Sequence, residues 1–305
     1  MSIDVSIIIP VYNRPMLVQE AVASAIRESR GFTHEIIVVD DASTDETWDV
    51  VQSLEGVRAL RMETNSRQCA ARNRGLAVAT GRYVKFLDSD DVLVAGHLQR
   101  ELDAAKSTNA DIVASGWRED GVDYPAPVFT SIIDDVLAGS SVPTSAALYV
   151  RHPEWRWDPS MPLLDDWDYF VNAALRATKI ATLEGSAYEW RTHAGARVTN
   201  ASMLVLARTH HAILHKIEAR LREQNELTES RRKRLAQYFY KELRVLSLHD
   251  RAEFDAALAH IFELDADFTP RDEERQWWMR IAARVAGTRN AVLLHSAIKR
   301  IVKGS

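Results

Sequence analysis

Four short apolar runs, each closed by polar residues and followed by a helical stretch, constrain this chain more than any other feature. Val5-Ser6-Ile7-Ile8-Ile9-Pro10 is the first, His34 to Val39 the second, Val57 to Met62 the third and Tyr83 to Leu87 the fourth. Short runs rich in β-branched residues, without polar alternation, suit strands buried on both faces. Between them, Pro15 to about Ser29, a segment beyond Ser43 or Thr44, and Gln68 to Ala79 read as helices. Pro15 suits a first helical turn, and Ser43 or Thr44 offers a cap. The alternation β-α-β-α-β-α-β predicts an α/β fold with a doubly wound, mostly parallel sheet and right-handed crossovers.

In such a sheet the strand ends share one edge, and ligands bind there. The ends are polar in a consistent way: Tyr12-Asn13, then Asp40-Asp41, then Asp88-Ser89-Asp90-Asp91. If the fourth run stays extended, Asp88 and Asp90 point the same way. Paired carboxylates are hard oxygen ligands suited to Mg²⁺ or Mn²⁺. Asp-Ser-Asp-Asp is also an ordinary turn sequence, so a purely structural role is the alternative. An aromatic ring, hydrogen-bonding carboxylates and a metal site on one edge suit a nucleoside diphosphate. Tyr12 would stack on the base, and Asp40 or Asp41 would accept from base N–H or ribose hydroxyls. No G-x-G-x-x-G follows the first run and no P-loop occurs, which disfavours a dinucleotide oxidoreductase and a P-loop enzyme. A sugar nucleotidyltransferase would carry a Gly-rich loop where this chain has Pro10-Val11-Tyr12-Asn13-Arg14.

A net charge of −5 gives no electrostatic case for nucleic acid. The single Cys69 excludes an internal disulfide and a Cys-based zinc site, and fits a reducing compartment. No apolar run approaches the roughly 20 residues that span a bilayer, and no signal-type segment opens the chain. A cytoplasmic protein is expected.

Further strands are expected at 111–117, 144–150, 179–184 and 187–191, with a short helix near 130–138 and an ordered loop over 155–162. Leu163-Leu164-Asp165-Asp166-Trp167-Asp168-Tyr169-Phe170 opens a helix in which Asp165 reads as an N-cap. From Met203 the pattern is helical: about 203–224, 228–248, 250–264 and 271–302. The expected domains are 1–200, catalytic, with a nucleotide-binding half (1–98) and an acceptor-side half (99–200), and 201–305, all helical. After Glu274 the chain has basic residues and no acid, with apolar stripes through Trp277, Trp278 and Ile281 and through Leu294 and Ile298. Such a stretch, 271–303, suits either an anionic membrane surface or packing on its own domain.

The motifs combine specifically. Val5 to Asn13, Val38 to Asp45, Asn65 with Ala71-Arg72-Asn73-Arg74-Gly75-Leu76, Gly81-Arg82-Tyr83-Val84 and Leu87 to Asp91 occur in order. This resembles glycosyltransferase family 2, inverting enzymes with a GT-A fold, densely over 3–98 and more thinly over 99–200. The resemblance implies metal-dependent transfer from a nucleotide-diphosphate sugar, UDP favoured, to a hydroxyl of a glycan or lipid-linked acceptor in polysaccharide or glycoconjugate synthesis. It places Pro10, Tyr12, Asn13, Asp40, Asp41 and Arg72 on the nucleotide, Asp88 near the ribose and Asp90 on the Mn²⁺ or Mg²⁺. Asp166 matches the second acid of the family's Asp-Asp motif, the catalytic base. Tyr188-Glu189-Trp190-Arg191-Thr192-His193 matches an aromatic-Arg-x-His run, which implies His193 on the metal or diphosphate and Arg197 on a phosphate. Two positions depart from the family pattern: Ala42, where Gly or Asn is usual, and Arg67, where Gly is usual. A lipid-linked acceptor would place the protein peripherally at the inner membrane face. A homo-oligomer through the helical tail stays open, as does a non-catalytic sugar-nucleotide scaffold.

Overall fold

A computed structural model of the chain describes residues 2–191 and 202–268. The chain divides into two compact units, Met1–Arg197 and Val198–Ser305.

The first unit is built on one mixed sheet. Its opening strands are β1 (Val5–Val11), β2 (His34–Asp40), β3 (Val57–Arg61) and β4 (Tyr83–Phe86), in spatial order β3-β2-β1-β4. All three pairings among them are parallel. Every residue of β1 is buried, as its unbroken apolar run requires. Each buried Ile or Val there contributes about 1.5–3 kcal/mol relative to exposure. The connecting helices are α1 (Pro15–Glu28), α2 (Thr47–Ser53) and α3 (Arg67–Val78). Pro15 occupies the first turn of α1, which buries Val18, Ala21, Val22 and Ala25. In α3, a Cβ on Gly75 would lie 2.5 Å from Ile8 Cγ2, so glycine is what lets this helix lie close against β1. The chain moves outward through β1, β2 and β3, then returns to place β4 on the other side of β1. That reversal opens a crevice at the strand ends of β1 and β4.

Beyond β4 the topology changes. The next elements are β5 (Val92–Leu93), α4 (His97–Thr108), β6 (Ile112–Glu119), β7 (Val122–Tyr124), α5 (Ile132–Val136), β8 (Ala147–Val150), α6 (Asp165–Ala174) and β9 (Ile180–Trp190). The sheet continues from β4 as β8-β6-β9-β5, with β7 paired to β6. The β4–β8, β8–β6, β9–β5 and β6–β7 pairs are antiparallel, and only β6–β9 is parallel. The parallel, doubly wound character thus belongs to the first four strands. The link from β7 to β8 holds only the short α5 and a 3-10 turn, and the antiparallel β6–β8 pair needs no long helical crossover.

Three local expectations are corrected. The strand expected at 144–150 starts at Ala147, because Thr144–Ala146 form a 3-10 turn. The two strands expected at 179–184 and 187–191 are one strand, β9, interrupted by a bulge. Its pairing with β6 jumps from Ser115↔Leu183 to Gly116↔Ser186, and Gly185 in the jump has φ of 96°. A glycine at positive φ inside a strand pattern marks a bulge as readily as a break. Ser43 and Thr44 do not cap α2, whose cap position is Glu46.

The second unit contains α7 (Met203–Glu223), α8 (Glu229–His249) and α9 (Arg251–Leu264). Ser202, Thr228 and Asp250 cap these helices, their side-chain oxygens accepting from the backbone N–H of Val205, Arg231 and Glu253. Their core includes Ile213, Ile217, Leu221, Leu235, Phe239, Leu243, Phe254 and Ile261. No helix among the described residues is long and apolar enough to cross a membrane. The basic stretch 271–303 lies outside the described residues.

Candidate active site

The strand-end residues collect along one edge, and a single arginine organises them. Arg72 on α3 is fully buried, at 1% exposure. Its guanidinium lies over the Trp157 ring, 4.1 Å from the centroid. One terminal nitrogen donates to Asp88 Oδ1 at 2.5 Å. The other donates to Asp165 Oδ2 at 3.0 Å and lies 3.7 Å from Asp166 Oδ1. Burial opposes the arginine's charge, but Asp88, Asp166 and Asp165 outweigh it and hold its pKa above the ordinary value. The floor under this cluster is aromatic. Trp157 stacks on Tyr169 at 4.4 Å, and Phe86 meets both edge-on at 5.2 Å.

Asp88 and Asp90 do not continue β4. The strand stops at Phe86, and Asp91 N–H donates to Asp88 C=O at 3.1 Å, closing a turn. Turn chemistry prevails over the extended geometry that would align the two carboxylates. Asp88 therefore faces Arg72, while Asp90 Oδ2 pairs with Arg14 at 2.6 Å. Asp91 is buried beneath them. Burial first, then the charges of Asp88 and Asp90, push its carboxyl up to about 9. Arg191 braces this turn: its N–H donates to Asp91 Oδ1 at 3.1 Å and its Nε to Asp90 C=O at 2.6 Å. It also pairs with Glu20.

Asp165 is not the cap of α6. Leu164 holds the cap position in the left-handed region, and Asp165 and Asp166 lie in the first turn. Asp165 instead takes hydrogen bonds from Gln68 at 2.7 Å and Arg72, with Cys69 Sγ at 3.4 Å. Asp166 is divided: Oδ1 is buried with no hydrogen-bond partner among the described residues, yet the side chain as a whole is 41% exposed. Burial pushes its carboxyl up to about 7; Arg72 works against this, and Asp165 and Asp88 reinforce it. A carboxyl that titrates near neutrality and reaches the surface suits proton transfer.

The residues expected on the nucleotide form a second group. Pro10 is buried in β1, opposite Val39 of β2. Tyr12 is 41% exposed at the strand end, open to stacking. Asn13 has φ of 52° and ties the β1 loop to the β2 loop: its N–H donates to Ser43 Oγ, and Thr44 N–H donates to its Oδ1, both at 2.9 Å. Asp40 is fully buried, accepting from Ser43 N–H and pairing with Arg61 Nε at 3.2 Å. Asp41 accepts from Ser66 N–H at 2.8 Å, and burial raises its pKa. The two departures from the family pattern share a geometry: Ala42 has φ of 59° and Arg67 of 68°. Both sit in the left-handed region, where glycine or asparagine carries less strain.

Asp88, Asp165, Asp166 and Arg72 are thus brought together; Asp40, Asp41 and Asn13 form a neighbouring group; Asp90 lies on the turn beside Arg14. His193 and Arg197 lie outside the described residues. Sequence reasoning missed Arg14, Trp157 and the pairing of Asp165 with Arg72. The Trp- and Pro-rich character of 155–162 was the available signal for Trp157. The carboxylate donors fit a hard divalent cation.

Residues 6–135 match the profile of Glycosyl transferase family 2. The Escherichia coli UDP-Glc:α-D-GlcNAc-diphosphoundecaprenol β-1,3-glucosyltransferase WfaP is 39% identical over 100 residues, covering 32% of this chain and 39% of that protein. The match spans two fifths or less of the length of the first curated relatives. The crystal structure of S. aureus TarS 1-349 in complex with UDP-GlcNAc is similar with a TM-score of 0.66 at 19% identity, over 85% of this chain and 80% of that one. The mannosyltransferase PcManGT from Pyrobaculum calidifontis, in complex with GDP-Man and Mn²⁺, gives 0.53 at 16% identity, over 96% and 88%. With strand-end motifs in order on this sheet, residues 6–135 match glycosyltransferase family 2, and the fold is the GT-A fold of these solved neighbours.

Proposed function

We propose that this chain is an inverting, metal-dependent glycosyltransferase that moves a sugar from a nucleotide-diphosphate donor to a hydroxyl acceptor. One observation carries the reading: Arg72 gathers Asp88, from the strand-end motif, and Asp165 and Asp166, from a segment far along the chain, into one cluster at the ligand-binding edge. A structural turn needs no second acidic motif beside it.

In this reading Tyr12 stacks on the base, and Asp40, Asp41 and Asn13 shape its pocket. Asp166 accepts the proton of the acceptor hydroxyl as that oxygen attacks the anomeric carbon from the side opposite the diphosphate. The new C–O bond forms as the bond to the diphosphate breaks, so configuration inverts and a nucleoside diphosphate leaves. Arg72 holds Asp166 beside Asp165 and keeps part of its population ionised. Asp88 and Asp90 would hold a Mn²⁺ or Mg²⁺, which supplies charge neutralisation for the diphosphate. UDP is the favoured nucleotide, supported by WfaP and TarS, and a lipid-linked glycan acceptor is supported by WfaP.

The test is calorimetric titration of nucleotide diphosphates and nucleotide sugars with Mn²⁺, Mg²⁺ or EDTA, on the wild type and on Asp90→Ala. Metal-dependent binding of one base, lost in Asp90→Ala, is the expected result. Absence of binding across the panel would refute the donor site. Binding without turnover against any hydroxyl acceptor would favour a scaffold.

A further inference from the structure

We infer a second metal site, for a borderline transition-metal ion such as Zn²⁺, formed wholly within the helical unit by His215, Glu218 and His260. His215 and Glu218 lie three residues apart on α7, so they share one face of that helix. His260 reaches them from α9. One ligand atom from each falls within 4.8 Å of the others. Two imidazoles and one carboxylate are the protein ligand set of a recurrent class of zinc site, in which a fourth position is left for water.

The surroundings argue for more than an ion pair. Glu218 is buried, at 5% exposure. Its Oε1 is held by Arg222 through two hydrogen bonds of 2.6 and 2.9 Å, which leaves Oε2 facing His260 Nε2 at 2.6 Å. The other ring nitrogen of His260 faces Glu263 Oε2 at 3.3 Å. The outer atoms of two ligands are therefore already fixed, and their inner atoms converge. This is the arrangement by which carboxylate–histidine pairs orient metal ligands. The His215 ring lies 4.9 Å from the His260 ring, tilted 46° to it, and makes no hydrogen bond among the described residues. Phe239 walls the cluster, 4.8 Å from His215 and 5.0 Å from His260. Ligand atoms about 2.0–2.2 Å from a tetrahedral ion lie about 3.3–3.5 Å apart. Binding thus needs the proton between Glu218 and His260 to leave, that pair to widen slightly and the exposed His215 ring to swing in. The metal would clip α7 to α9.

The site shares no residue with the proposed donor site and stands whatever the fate of the proposed transfer activity. The test is titration of the full chain with Zn²⁺ in millimolar Mg²⁺, which occupies hard-oxygen sites, read by calorimetry and by thermal unfolding. The wild type is expected to bind one Zn²⁺ equivalent and to unfold at higher temperature as Zn²⁺ rises. His215→Ala should weaken binding at least tenfold and abolish the thermal shift, and Glu263→Gln, at an exposed position, should weaken it about 10- to 100-fold. Asp90→Ala should bind Zn²⁺ as the wild type does. Failure of the wild type to bind, or wild-type affinity in either His215→Ala or Glu263→Gln, would overturn the assignment. Should His215→Ala not fold, Glu263→Gln alone decides it.

Discussion

Replacing Arg72 by methionine tests the central arrangement. The substitution keeps an unbranched chain over Trp157 but removes the charge that Asp88, Asp165 and Asp166 share. Leaving a buried ion-pair partner uncompensated costs about 3–5 kcal/mol. Asp88 and Asp166 are 33% and 41% exposed, so water recovers part of that, whereas Asp165, at 15%, is more enclosed. The lower end, about 3 kcal/mol at pH 8, is therefore expected. The loss should shrink on acidification. Asp166 already has a raised pKa in the folded state, and Arg72 opposes that rise. Without Arg72 the folded state binds protons more readily than the unfolded chain, so stability of the variant falls as pH rises and recovers as pH drops toward 5. Urea unfolding followed by tryptophan fluorescence, at pH 5 and pH 8 for both proteins, measures the difference. A loss below about 1 kcal/mol at pH 8, or one independent of pH, would show that Arg72 does not neutralise this cluster.

Other expectations follow from single residues. With Asp166 titrating near 7, transfer should rise with pH through about 7, because the base acts only when ionised. A pH–rate profile flat from 5 to 9 would remove Asp166 from that role. Asp166→Asn should lower kcat by about 10²- to 10⁴-fold while donor affinity by calorimetry stays near wild type, and full turnover in that variant would sink the assignment. Ala42→Gly should stabilise the protein, because relief of a left-handed alanine, about 1–2 kcal/mol, exceeds the entropic cost of glycine, about 0.5–1 kcal/mol. A lowered midpoint in chemical denaturation would contradict the strain.

Much of the strand-end edge was legible because its signals are local. A short unbroken β-branched run suits a buried strand, and carboxylates after such runs lie at strand ends wherever the sheet is parallel. Where one local rule competed with another, the sequence was ambiguous. Asp88 to Asp91 satisfy both an extended and a turn pattern, and the turn won. Gly185 satisfies both a strand break and a bulge, and the sheet kept the strand intact around it. Asp165 has the chemistry of a cap, but Arg72 and Gln68 claim its carboxylate and Leu164 takes the cap position.

The sequence by itself determined the first four strands and their helices, the polar character of their ends, the helical nature of residues 203–264 and, through motifs in order, the resemblance to the family. Each is written in contiguous residues, where periodicity and turn chemistry act. Only the tertiary structure decided that Arg72 is buried and unites acids from α6 and from the end of β4, that Arg14 faces Asp90, and that β8 enters the sheet antiparallel beside β4. It alone brought His260 to His215 and Glu218. An arginine's long side chain is equally at home in water or over an aromatic ring. Its choice depends on which distant carboxylates and rings the fold delivers, and no local pattern encodes that.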